Sequence, residues 1–182
     1  RLVQHNGGEI DFKSWPADLL ADYIEKKHHR FVRDQIPMLL EFLQKLCHVH
    51  GENHPELIDI YHHFQASAHE LTQHMYKEEA ILFPFVRKIL QNNTAEIELD
   101  SCFGSVQNPI AAMMDEHTAE GERFEEIARL SNNYEAPADG CRTYEVTYAM
   151  LRDFQEDLHK HIHLENNILF PKAIEMEKTM AG

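Results

Sequence analysis

Two segments of this chain, HMYKEEAILFP at 74–84 and HIHLENNILFP at 161–171, repeat one pattern, H-x-x-x-E-x-x-I-L-F-P, 87 residues apart. On a helix, residues four apart stand one above the other on the same face. Each copy therefore aims an imidazole and a carboxylate at one point: His74 with Glu78, and His161 with Glu165. Two such pairs facing each other across a helical bundle can hold two metal ions, with the carboxylates shared between them.

The repetition reaches further. His29 precedes His74 by 45 residues, and His117 precedes His161 by 44. Each half then reads as a helix pair, one helix giving a lone His and the next giving His and Glu. That is the signature of a duplication with a pseudo-two-fold axis through the metal site.

All of these residues lie on apolar stripes. Leu71, His74 and Glu78 run on into Ile81, Leu82, Phe85 and Ile89; Met150, Phe154, Leu158, His161 and Glu165 lead to Ile168. A buried, unpaired carboxylate costs several kcal/mol or is forced to protonate. Two in register point to cations more readily than to two internal His–Glu hydrogen bonds. His117 shares its face with Ile110, Met113, Met114, Phe124 and Ile127. A lone His on such a stripe is usually a core residue, but here the other half requires an equivalent. In the first helix His28 and His29 are adjacent. Seven residues on, His29 meets Ile36 and His28 meets Gln35, so His29 is preferred and His28 stays the alternative.

Four His and two bridging carboxylates suit a pair of iron-type ions rather than a closed zinc tetrahedron or the all-oxygen shells of magnesium and calcium. Such bridged ions sit about 3.5–4 Å apart. One His pair per ion plus two shared oxygens leaves positions for an oxo bridge, O2, NO or peroxide. The spacing E-x-x-H, used by another di-iron class, also occurs at Glu25/His28 and Glu156/His159. That class needs two further inward glutamates, and Glu156 and His159 fall off the apolar stripe. His48, His50, His54, His62, His63, His69 and His163 read as surface or loop residues.

The elements that must position these ligands follow from periodicity. Val32, Ile36, Leu39, Leu43 and Leu46 mark a first helix over about 17–47. Pro55 opens a second, running to about Leu90 and followed by the polar loop QNNTAE. Asn108-Pro109 offers a cap and a first-turn proline for a third, fading near Ser131, and Asp139 a cap for a fourth extending to about Met176. Pro84 and Pro171 sit inside helical patterns, six residues after each Glu, and each should disturb its helix. The expected fold is all-α, an antiparallel up-down-up-down four-helix bundle over 16–178. Residues 1–15, with Gly7-Gly8, read as a lead-in or the remnant of a removed upstream segment.

At 182 residues and 43% hydrophobic, the chain suffices for one domain with a full core. A formal net charge of −14 argues against nucleic acid or anionic lipid as partner. No apolar run approaches the roughly 18 residues of a membrane span. Cys47, Cys102 and Cys141 are dispersed, which suggests a reducing compartment and no disulfide framework.

Taken together, YIEKKHHRFVRDQIP, HELTQHMYKEEAILFP, MMDEHTAEGE and HIHLENNILFP resemble the hemerythrin-like domain of the iron–sulfur-cluster repair di-iron proteins, the repair of iron centres family. The resemblance runs from about Trp15 to Pro171. It implies His29, His74, His117 and His161 as terminal ligands and Glu78 and Glu165 as bridges between two iron ions. Oxygen-carrying hemerythrins add a fifth His four residues from its neighbour on the third helix, where this chain has Met113 and Gly121. They also bridge with an Asp where this chain has Asn166. Loss of one imidazole opens the site. The resemblance further implies a cytoplasmic stress protein acting on iron–sulfur proteins damaged by nitric oxide or peroxide, with an O2 or NO sensor or carrier as the alternative. Redox or NO chemistry at the centre is the activity this would allow, and Glu116, beside a ligand, could gate access or relay protons. Full-length repair proteins commonly carry an N-terminal domain with an adjacent cysteine pair, which this sequence does not contain.

Overall fold

The computed structural model describes residues 9–91 and 104–181. Gly7-Gly8, Cys102 and the QNNTAE connection beyond Gln91 lie outside the described residues. Four rods make up the bundle. The first comprises α1 (Ala17–Tyr23), a π-helical turn (Ile24–His29) and α2 (Arg30–His50). The second comprises α3 (Glu56–Lys77), a π-turn (Glu78–Leu82) and α4 (Phe83–Leu90). The third is α5 (Gln107–Leu130). The fourth comprises α6 (Arg142–Leu164), a π-turn (Glu165–Leu169) and α7 (Phe170–Ala181).

Neighbouring rods run antiparallel, as paired contacts at both ends require. His29 meets Glu79 while Cys47 donates to the Leu57 carbonyl. His74 meets Glu116 while Ser67 meets Arg123. His117 meets Asn166 while Tyr134 meets Gln155. His28 meets Asp157 while His50 meets Cys141. The fold is thus the up-down-up-down bundle expected. Among the described residues no helix is long and apolar enough to cross a membrane.

The core is divided in two. One apolar cluster holds Leu20, Ile24, Phe83, Val86, Ile110, Leu169 and Phe170; the other holds Leu39, Leu43, Phe64, Phe124, Phe154 and Leu158. Edge-to-face and stacked rings tie the second together, with Phe64, Phe124 and Phe154 at 5.4–6.4 Å. The polar ligand layer falls between them.

The disturbance expected at Pro84 and Pro171 takes the form of a π-turn. Proline supplies no N–H for the ordinary helical bond. In each case the Phe before it donates instead to the carbonyl five residues back, Phe83 to Glu78 and Phe170 to Glu165. One extra residue is thereby wound into the turns that begin at Glu78 and Glu165. This winding carries Ile81 off the buried face, to 43% exposure. Met114, also read as inward, is 39% exposed. Pro37 lies inside α2 as well, without a π-turn.

Helix ends differ modestly from expectation. α5 begins at Gln107, so Pro109 lies in its first turn as expected, while Asn108 is inside the helix and Val106 takes the cap position. Cys141, not Asp139, caps α6, and Asp139 instead accepts from His54. Residues 9–15 include a 3-10 turn, Phe12–Ser14, with Phe12 and Trp15 packed on Tyr23.

Candidate metal centre

Helical spacing and the π-turns bring all six sequence-predicted residues to one buried layer. His29, His74, Glu78, His117, His161 and Glu165 are each at most 4% exposed. They fall into two groups of four: His29, His161, Glu78 and Glu165; and His74, His117, Glu78 and Glu165. Within each group the donor atoms all lie within 4.8 Å of one another. Both carboxylates belong to both groups, and each group takes one His from each half of the chain. A two-fold rotation that exchanges the halves exchanges the groups.

The same symmetry governs what stands behind the ligands. Phe83 stacks on His29 at 5.8 Å and Phe170 stacks on His117 at 5.9 Å, which gives the Phe of each repeated ILFP a role. The residue after each repeated Glu accepts an imidazole Nδ1–H: Glu79 from His29 at 3.0 Å, Asn166 from His117 at 2.7 Å. His74 donates its Nδ1–H to Glu116 at 2.6 Å. Arg33 donates to both Glu79 oxygens, and Lys77 to Glu116. Burial disfavours charge on these two outer carboxylates, yet the cations and imidazoles hold both below the ordinary carboxylate range. With Nδ1 engaged, each of these three rings turns Nε2 to the centre, the arrangement that metal-binding histidines use.

At the centre the picture reverses. His29 Nε2, His161 Nε2 and all four oxygens of Glu78 and Glu165 have no hydrogen-bond partner of acceptable geometry. His74 Nε2 lies 2.6 Å from Glu78 Oε1 and 3.0 Å from His117 Nε2, so atoms able to ligate a cation from three side chains crowd at one point. Burial and the neighbouring Glu165 push Glu78 up to about 7, and burial raises Glu165 too. Burial lowers His161 to about 3 and His29 to about 4. Burial also depresses His74, but the Glu78 carboxylate more than reverses this, to about 9. Each orphaned buried group costs on the order of 1–3 kcal/mol. Six converging at one spot fit cations, and the buried His/Glu group is able to hold metal.

His29 and His28 are now distinguished. His29 brings Nε2 into the cluster, 3.8 Å from Glu78. His28 is buried as well, contrary to its off-stripe position, because the π-turn Ile24–His29 widens the inward face to two adjacent residues. It pairs with Asp157 through Nδ1 at 3.0 Å and stacks on His161 at 5.6 Å. Glu25 pairs with Arg87, while Glu156 and His159 are exposed, so neither E-x-x-H pair joins the cluster. Spacing alone missed Glu79 and Asn166, although their position one residue past each repeated Glu could have marked them. Glu120, buried at 4% and paired with Arg123, was also unanticipated.

A four-helix bundle with a buried layer of four histidines and two shared glutamates defines a metal-binding helical protein. The chain belongs to the hemerythrin HHE cation-binding domain family, which matches residues 21–173. It is 35% identical over 167 residues to the iron-sulfur cluster repair protein YtfE of Yersinia pseudotuberculosis, covering 92% of this chain and 70% of that one. It is 29% identical over 171 residues to the iron-sulfur cluster repair protein ScdA of Staphylococcus haemolyticus, covering 94% and 73%. YtfE of Yersinia pestis is 34% identical over 167 residues, covering 92% and 70%.

Proposed function

We propose that this protein holds two iron ions and helps restore iron–sulfur clusters damaged by nitric oxide or oxidative stress, by donating iron and binding NO. The observation that carries this reading is the pair of four-donor groups sharing Glu78 and Glu165. Relatives named as iron–sulfur cluster repair proteins, matched over most of this chain, support the repair role. His29, His74, His117 and His161 would be the terminal ligands and Glu78 and Glu165 the bridges, with an oxo bridge completing the pair. When bound, the irons supply one-electron redox change and a binding position for NO. The protein's own part is to present neutral imidazoles through Nε2, to offset cation charge with two buried carboxylates, and to exclude bulk water. Glu116 fits an orienting role, since it is tied to both His74 and Lys77. Damaged iron–sulfur proteins of the cytoplasm are the proposed partners.

A cavity of about 90 Å³ reaches His74, His117 and His161 and is lined by Glu116, Glu120 and Leu158. That space suits a diatomic ligand, and it also favours the second reading, an O2 or NO sensor or carrier without repair activity.

Iron analysis with Mössbauer spectroscopy tests the centre: two irons per chain are expected, and well-folded protein from iron-replete cells with none would refute it. Repair is tested by adding the loaded protein to an NO-damaged iron–sulfur enzyme. Recovery of that enzyme supports repair, whereas inert iron that chelators cannot extract leaves the sensor reading.

A further inference from the structure

The pseudo-symmetry of the ligand layer fails at one atom. Three of the four imidazoles have an acceptor on Nδ1: Glu79 for His29, Glu116 for His74 and Asn166 for His117. His161 is 1% exposed, and its Nδ1 has no partner among the described residues. The symmetry says what should stand there. Glu116, which serves His74, immediately precedes His117; the residue immediately preceding His29 is His28. His28 occupies the expected place against His161 but stacks on it face to face, at 5.6 Å and 16°. Its own Nδ1 is turned away to Asp157. A carboxylate tied to a lysine serves one half of the chain, and a stacked ring with no acceptor toward its neighbour serves the other.

We infer that the two metal positions are unequal, the one between His29 and His161 being the weaker and the source of exchangeable metal. The inference rests on the reading that the cluster holds two ions. An acceptor on the outer nitrogen fixes ring orientation and raises ligand basicity, and its loss typically lowers metal affinity about 10–100-fold. In the His74/His117 position both rings are so held. In the His29/His161 position only His29 is. No electron transfer is involved: an ion leaves its donors, and the vacated imidazoles and carboxylates take up solvent protons according to pH.

The surroundings agree. His28 lines an open groove of about 820 Å³, together with Leu164, Ile168, His159, His163 and Asp11. The weaker position therefore lies one ring away from this open groove. The cavity that reaches His74 and His117, and also His161, is about 90 Å³.

The test uses anaerobic titration of metal-free protein with Co(II), with Fe(II) in parallel, against a competing chelator. Two stepwise constants separated by about 10–100-fold are expected. Anomalous diffraction from crystals given one equivalent of Co(II) should place that ion between His74 and His117. Glu116→Leu should weaken the tighter constant and shift the first equivalent toward His29 and His161. His28→Gln, which offers His161 an acceptor, should narrow the gap. Equal constants, or a first equivalent sited between His29 and His161 in the unaltered protein, would overturn the inference while leaving the two-ion reading intact. Folded protein that binds neither Co(II) nor Fe(II) would overturn both.

Discussion

Asn166, one residue beyond the repeated Glu165 and on the neighbouring rod, accepts the Nδ1–H of His117 at 2.7 Å. A neutral amide here fixes the ring without adding charge. Asn166→Ala should leave the helical content unchanged and lower iron affinity about 10–100-fold. Chelator competition checks this, with Asn166→Asp as the control that keeps an acceptor. Unaltered affinity in the alanine variant would mean that the contact does not orient the ligand.

Adjacent histidines should behave oppositely. His29→Gln removes an inward Nε2 and should cost bound iron, whereas His28→Gln should retain both ions, since His28 spends its Nδ1 on Asp157. Iron per folded chain, measured on each variant, decides the assignment. Equal losses would contradict it.

Glu165→Leu should change sign with metal. In metal-free protein, replacing a fully buried carboxylate whose oxygens lack a hydrogen bond of acceptable geometry by an apolar group relieves desolvation and should stabilise by about 1 kcal/mol or more. In iron-supplemented protein the same change should destabilise, because the stabilisation from binding, about 2.7 kcal/mol at a hundred times Kd, is forfeited. Paired thermal melts with and without iron test the crossover.

Stability of the metal-free protein should depend on pH in a defined way. Burial keeps His161 and His29 neutral in the fold down to about 3 and about 4, while the unfolded chain protonates them near 6.5. The unfolded state then binds more protons, so these groups add stability as pH rises to 6.5. Glu78, raised to about 7, opposes them between 4.5 and 7. Above that His74 contributes most, with His54 shifted the same way by its hydrogen bond to Asp139: held at about 9, His74 keeps a proton that the unfolded chain has released, and its contribution is lost as pH climbs toward 9. Melting temperature should therefore fall from pH 7 to 9 without metal. It should stay nearly flat with metal, whose imidazole ligands are already unprotonated. A flat profile in the metal-free protein would count against the His74–Glu78 coupling.

The number of helices, their inward faces and the pairing of His with Glu were all written in local sequence. Periods of four residues and apolar stripes are properties of a single helix, and the repeated H-x-x-x-E-x-x-I-L-F-P needs no tertiary contact to be read. What only the folded chain decided came from across the bundle. Glu79, Glu116 and Asn166 stand behind His29, His74 and His117 from other rods, so no spacing along one helix could reveal those contacts. His28 is buried, and Ile81 exposed, because π-turns rewind the helical face by a residue, which a fixed 3.6-residue period cannot anticipate. The division of the six donors into His29/His161 and His74/His117 depends on which rods are neighbours, and that is set by core packing rather than by any residue's own chemistry.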